Sequence, residues 1–161
     1  MEYSRINKNA VKAWFIGRII FLVIFSGIYL AIGYKFLIPK FGESITFKYV
    51  FGILSFLILG FFCVNTFIFP KIEYRQWRYL ITEDKIELIN GIIIRSKIII
   101  PISRIQHLDI EQGPIYRKFG LACLKLNTAG ASHEIPALTI DEAEELSEKL
   151  KQIVEMSDKI E

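Results

Sequence analysis

Hydrophobic and polar residues follow two different patterns along this chain. The longest uncharged run is the 21 residues Tyr49–Phe69, and a bilayer core about 30 Å thick needs about 20 apolar residues in a helix. We therefore predict a transmembrane helix over residues 49–70. The alternative, a buried core helix of a soluble protein, is disfavoured because the rest of the chain is too short to cover it.

An earlier uncharged stretch, Ile19–Tyr34, has only 16 residues. Arg18 and Trp14 extend it, because a long Arg side chain can lie along apolar surface with its charge among the lipid headgroups, and Trp favours the membrane interface. We predict a second transmembrane helix over residues 13–34. A cleaved signal peptide is the competing interpretation, but no clear small-residue cleavage site follows and another apolar run comes soon after.

A short loop, residues 35–48, joins the two predicted helices into a hairpin, so that both termini lie on one side. The flanks of the hairpin carry seven Lys and Arg residues and the loop carries three. The positive-inside rule then predicts a multi-pass protein of the cell (inner) membrane, with residues 1–12 as a cytoplasmic tail and 71–161 as a cytoplasmic domain. The flanking charges are Arg5, Lys8, Lys12, Arg18, Lys71, Arg75 and Arg78.

After residue 71 the pattern changes to short alternating segments separated by turn residues, which predicts a mainly-β domain of about seven strands. Asn90-Gly91 predicts a two-residue hairpin turn. The segments predicted as strands are Trp77–Ile81, Lys85–Ile89, Ile92–Ile100, Ile105–Ile110, Leu121–Leu126 and His133–Leu138.

The last segment of the chain predicts one amphipathic helix over residues 140–155. Thr139 and Glu142 have the spacing of a capping box, and apolar residues recur at helical spacing after them. We expect this helix to cap the β-sheet with its apolar face and to keep its acidic face in solvent, away from an anionic membrane.

Composition and charge exclude several classes of protein. Hydrophobic residues make up 52% of the 161 residues, which excludes intrinsic disorder, and the two cysteines exclude a disulfide scaffold. Residues 1–71 carry eight Lys and Arg against two acids, whereas residues 72–161 carry twelve against fifteen. Because the positive excess lies in the membrane half, the basic pI gives no reason to expect a nucleic-acid partner.

Strands followed by a single C-terminal helix are the order of a pleckstrin-homology (PH) fold. Five segments in order resemble the bacterial PH-like domain family, whose membrane-anchored members have two helices before the domain. The resemblance implies a non-catalytic PH-like module at the cytoplasmic face, often found beside a longer relative with tandem copies. The five segments are Tyr79–Lys85, Asn90-Gly91, Ile100–Leu108, Arg117–Leu121 and Asn127–Gly130.

Basic residues are the candidate functional side chains. A multiply charged phosphate needs several cationic donors, but the loop after the first predicted strand carries Glu83 and Asp84 instead, which disfavours a phosphoinositide site there. Contacts with anionic lipid headgroups are expected from Arg75 and Arg78, and from Arg117 and Lys118 if their loop faces the bilayer. The alternatives are an ordinary basic flank of a membrane helix for the first pair and solubilising surface charge for the second.

No cofactor, metal site or catalytic site is expected. His107 with Asp109, and His133 with Glu134, supply too few ligands for a metal, even if Cys123 joined them. The same residues with Ser103 or Ser132 give no supported nucleophile and base, and no phosphate-binding loop is present. We therefore predict that the protein is not an enzyme.

These observations lead to a functional hypothesis with two alternatives. We expect a membrane-anchored adaptor or scaffold that assembles with a membrane protein carrying related PH-like domains, in cell-envelope maintenance or defence. The alternatives are an anionic-lipid-binding module at the inner leaflet and an accessory subunit of a transporter. Membrane lipids are expected partners, and the sequence leaves open whether the chain self-associates.

Overall fold

The computed structural model describes residues 3–37, 39, 44–92 and 94–158, which form two compact units. Residues 14–70 make up a helical unit, and residues 3–13 join residues 71–158 in a β unit. The predicted loop over residues 35–48 lies partly outside the described residues, as do the first two residues of the predicted tail.

Two long helices account for the apolar half of the sequence. Helix α1 covers Ala10–Ile32 and continues as a π-helical stretch over Gly33–Leu37, and helix α2 covers Ile45–Phe67. Their large apolar side chains are mostly exposed, up to 79% for Phe56, which is the opposite of a buried core helix. Both helices are long and apolar enough to cross a membrane.

The helical unit is held together by ring packing and a few polar contacts. The Phe25 and Phe62 rings lie 4.7 Å apart, and the hydroxyls of Tyr29 and Ser55 are 2.7 Å apart. Phe15 near the start of α1 packs against Phe67 at the end of α2, and Tyr29 near the end of α1 stacks on Phe51 near the start of α2. The two helices therefore pack antiparallel as a hairpin. Hydroxyl pairing suits an apolar environment, where an unpaired polar group is costly.

The β unit contains two antiparallel three-stranded sheets, each with its strands in sequence order. The described residues thus form six strands, where about seven were predicted. Helix α3 (Phe69–Gln76) leads into β1 (Arg78–Ile81), β2 (Lys85–Asn90) and β3 (Ser96–Pro101), and a 3₁₀ turn (Ile102–Arg104) leads into the second sheet. That sheet comprises β4 (Ile105–Glu111), helix α4 (Pro114–Lys118), β5 (Leu121–Thr128) and β6 (Ser132–Thr139), and helix α5 (Ile140–Asp158) follows.

Helix α5 closes the apolar core between the sheets, as the sequence predicted. The backbone N–H of Thr139 donates to the Glu142 carboxylate at 2.8 Å, and that of Glu142 donates to the Thr139 hydroxyl at 3.2 Å, which is the predicted capping box. Fully buried side chains come from both sheets and from the helix: Ile86, Leu88, Leu121, Leu124, Leu126, Ile135, Leu138 and Leu150.

The predicted two-residue turn at Asn90-Gly91 is wrong. Asn90 pairs with Ser96, so the connection between β2 and β3 is longer than two residues and β3 begins at Ser96 rather than Ile92. A two-residue turn of that type needs positive φ at both central residues, but among the described residues only Ala137 and glycines have positive φ. Gly91 (φ +113°) instead folds the loop back so tightly that a Cβ would overlap the carbonyl oxygen of Ile94.

The N-terminal segment, residues 3–7, is part of the β unit. Ser4 and Tyr79 exchange two backbone hydrogen bonds of 2.9 and 3.1 Å, which add a one-residue bridge to the free edge of β1. The Asn7 N–H then donates to the carbonyl of Ala137 in β6 at 3.0 Å, and Ile6 between them is only 2% exposed. The segment therefore connects the outer strands of both sheets.

Glu87 fixes the start of this segment. Its carboxylate accepts hydrogen bonds from Lys85 and Lys97, each at 2.8 Å, and from the Tyr3 hydroxyl at 2.7 Å. These donors lower the pKa of Glu87 from 4.5 to about 2, and the hydrogen bond from Lys85 has the largest effect. The ionised carboxylate is therefore the form that holds Tyr3 against β2.

This site predicts a specific loss of stability in acid. The folded-state pKa of Glu87 lies below its ordinary value, so the unfolded chain takes up the proton first as the pH falls. The contribution of Glu87 to the free energy of unfolding is complete above pH 4.5 and is lost towards pH 2. Glu87→Gln should lower the thermal midpoint of the full chain in detergent at pH 7 and flatten its dependence on pH below 4.5.

Glu111→Gln is the matched control, because Glu111 also pairs with a lysine, Lys125 at 2.7 Å, but on an exposed surface. Exposed pairs contribute about 0–1 kcal/mol, so this variant should follow the parent. A Glu87→Gln protein with the parent's midpoint at every pH would contradict the assignment.

Candidate anion-binding site

The junction between α3 and β1 places two of the predicted arginines close together. Trp77, between them in the sequence, is buried, and its backbone N–H donates to the carbonyl of Glu73 at 3.1 Å. This is the last hydrogen bond of helical type before β1, and Arg75 and Arg78, on either side of Trp77 in the sequence, are both exposed.

The β2–β3 hairpin brings a third arginine to the same place. Arg78 pairs with Ile89, so the end of β2 lies beside the start of β1, and the Gln76 side-chain amide donates to the carbonyl of Ile92 in the loop at 3.3 Å. Arg95 closes this loop. A cavity of about 140 Å³, which we call the arginine pocket, is lined by Arg75, Gln76, Arg78, Ile89 and Arg95.

Several polar groups of the arginine pocket have no partner among the residues that the structure describes. None of its three arginines forms an ion pair or side-chain hydrogen bond with any residue that the structure describes, and the buried side-chain oxygen of Gln76 accepts no hydrogen bond. Guanidinium groups bind phosphate and carboxylate oxygens through paired N–H donors. Like charges around one cavity repel unless an anion lies between them, so the pocket is suited to an oxyanion.

The structure separates the two predicted pairs of basic residues. Arg75 and Arg78 share the arginine pocket, whereas Arg117 and Lys118 lie exposed in the short helix α4 and do not line it. Sequence reasoning missed Arg95, which lies inside the predicted strand Ile92–Ile100. The pairing register of the hairpin would have revealed it, but the predicted two-residue turn gave the wrong register.

The β1–β2 turn has the opposite character. The Thr82 hydroxyl donates to the carbonyl of Lys85 at 2.8 Å and holds the turn, while Glu83 and Asp84 are exposed beside a separate groove. Carboxylates in this position repel phosphate groups. The turn therefore does not form a basic headgroup site.

Cys123 is not a reactive thiol. Burial, and then the nearby Glu134 carboxylate, raise the pKa of Cys123 to about 12, and the two side chains are 3.4 Å apart. At neutral pH the thiol therefore stays protonated and is a poor nucleophile. Within the described ranges, no three His, Cys, Asp or Glu side chains are grouped to hold a metal ion.

Comparison with known proteins places these features in a family context. The profile of the family described as Bacterial PH domain matches residues 19–154. UPF0699 transmembrane protein YdbS of Bacillus subtilis is 31% identical over 158 residues, covering 96% of this chain and 94% of that protein. UPF0699 transmembrane protein YdbT of the same organism is 31% identical over 81 residues, 48% of this chain but only 16% of that protein. No solved structure matches.

The environment of Cys123 predicts how fast it is alkylated. In the folded full chain at pH 8, peptide mapping should show iodoacetamide labelling far slower than in denaturant. Glu134→Gln should speed labelling, because the carboxylate raises the thiol pKa, and Lys125→Gln should slow it, because the ammonium lowers that pKa. Equal rates in the folded and denatured chain would contradict this environment.

Proposed function

Because this chain belongs to the bacterial PH domain family and has two helices suited to crossing a membrane, we propose that it is a non-catalytic membrane-anchored module that binds anionic lipid headgroups. The observation that carries the proposal is the convergence of three unpartnered arginines on one pocket. Arg75 lies only five residues beyond Pro70, where the predicted membrane segment ends, or about 8 Å along a helix.

A lipid headgroup fits this pocket better than a simple anion. The phosphate oxygens accept from the guanidinium groups, and the unpartnered Gln76 oxygen needs a donor such as a headgroup hydroxyl or ammonium. A basic residue near an anionic surface contributes about 1 kcal/mol, a factor of roughly five. The anchor also keeps the pocket at the membrane, where lipid is concentrated.

The position of the N-terminal segment supports the proposed topology. Residues 3–13 and 71–158 form one unit, and both apolar helices lie between them in sequence. If each helix crosses the bilayer once, both ends of the chain reach the same compartment. The excess of basic flanking residues favours the cytoplasmic side of the cell membrane, and we propose that the arginine pocket binds lipid of the inner leaflet.

Matched double variants test the proposal. In nanodiscs of mixed zwitterionic and anionic lipid, Arg75→Gln/Arg78→Gln should reduce the enrichment of anionic lipid that native mass spectrometry detects, by roughly fivefold per arginine at low salt. Arg117→Gln/Lys118→Gln removes the same charge away from the pocket and should keep the enrichment. If Arg117→Gln/Lys118→Gln loses the enrichment of anionic lipid and Arg75→Gln/Arg78→Gln keeps it, the proposal is contradicted.

A second candidate function is that of an adaptor for a membrane protein with related domains. Among the strands that the structure describes, β4 pairs with β5 alone, and a groove of about 290 Å³ is lined by residues of β4 and α5. Such an edge can accept a strand from a partner. The chain is similar over 81 residues to part of the longer transmembrane protein YdbT. We propose a partner of that class, in an envelope-maintenance or defence assembly.

The adaptor function predicts a partner that depends on the β4 groove. Affinity purification from native membranes should recover a stoichiometric membrane protein with PH-like domains, and Leu108→Asp in the groove should release it. Ile110→Asp, on the same strand but outside the groove, should retain it. Recovery of lipid without a stoichiometric protein would exclude this function.

A further inference from the structure

We infer that the tip of the β2–β3 loop is a membrane-insertion element, with Ile94 entering the boundary between headgroups and acyl chains beside the arginine pocket. Ile94 is 82% exposed, more than any other large hydrophobic side chain in the described residues, including those of both apolar helices. A single exposed apolar residue is common on protein surfaces, so the inference depends on what surrounds this one.

The loop tip and the arginine pocket lie at the same end of the first sheet. Arg95 directly follows Ile94 and lines the pocket, while the Ile92 carbonyl is bound by Gln76 from α3. Gly91 folds the loop against the backbone of Ile94. These contacts hold an apolar tip next to three cationic side chains, instead of leaving it on an unconstrained loop.

The apolar tip and the neighbouring arginines match the acyl-chain and headgroup layers of a bilayer surface. An amphipathic element places its apolar side chains about 5–10 Å into the headgroup and acyl boundary, where long Arg side chains reach phosphate groups. We therefore assign an anionic lipid surface as the partner that this loop tip binds. A second copy docking through the same tip is disfavoured, because it would bring two sets of unpartnered arginines together.

Few residues separate the first sheet from the proposed membrane segment in the sequence. Strand β1 begins at Arg78, eight residues beyond Pro70, and Arg78 pairs with Ile89 at the end of β2. The inference deepens the proposed function and rests on it for the phosphate contacts of the arginines. Insertion of Ile94 is an apolar interaction, however, and does not itself require an anionic lipid.

Fluorescence quenching in bilayers tests the inference on the full chain. Ile94→Trp is compared with Ile99→Trp, an exposed apolar position of the same hairpin (52% exposed) within β3. Proteoliposomes contain lipid brominated near the carboxyl end of the acyl chains, with the parent protein providing the background of Trp14 and Trp77. We expect a blue shift and loss of emission at Ile94→Trp, and neither at Ile99→Trp.

The lipid composition separates this inference from the proposed function. Quenching at Ile94→Trp in zwitterionic as well as anionic bilayers supports insertion even if the arginine variants keep their lipid enrichment, which would overturn only headgroup binding. Emission at Ile94→Trp that stays water-exposed overturns insertion, even if the arginine variants lose anionic lipid. Equal quenching at both positions, or a blue shift that depends on protein concentration without quenching, also overturns it.

Discussion

Two backbone hydrogen bonds between Ser4 and Tyr79 hold the residues before the first apolar helix against the strand that follows the second. Asn7 extends this connection to Ala137 in the other sheet, where a shift in pairing register leaves Ala137 with a positive φ of 53°. That conformation is unfavourable for a residue with a side chain, and its carbonyl is the group that receives Asn7. The β unit is therefore completed by residues that precede both apolar helices in sequence.

This arrangement leaves little chain between the apolar helices and the sheet. Helix α3 has eight residues, and its last turn supplies Arg75 and Gln76 before β1 begins with Arg78. Basic residues that would serve only as a flank of a membrane helix are thus built into a folded surface. The hairpin loop adds Arg95 to them, which changes a diffuse positive charge into a pocket with defined donors. All residues of this site belong to the β unit.

The sequence predicted what local pattern determines. The two apolar helices, the order of strands and the capping box at Thr139 follow from run length, alternation and side-chain spacing, and all three are present. The N-terminal pairing was not predictable, because Ser4 and Ile6 form no periodic pattern and Tyr79 is more than seventy residues away. The prediction of the turn between β2 and β3 was wrong for a different reason. Asn-Gly forms a tight hairpin turn only when both residues take positive φ. Arg95 was missed as a consequence, since its place in the site depends on that register.

The central claim is that the arginine pocket binds lipid phosphate. Measuring the distance between guanidinium nitrogen and lipid phosphorus tests it most directly. Solid-state NMR of the full chain, with ¹⁵N-labelled arginine in bilayers containing anionic lipid, measures dephasing of guanidinium signals by ³¹P. Single Arg→Gln variants assign the signals. Short ¹⁵N–³¹P distances at Arg75, Arg78 and Arg95, and none at Arg117, are the predicted result. Absence of dephasing at all three pocket arginines, in bilayers where Arg117 shows it, would contradict the assignment of this surface to lipid phosphate.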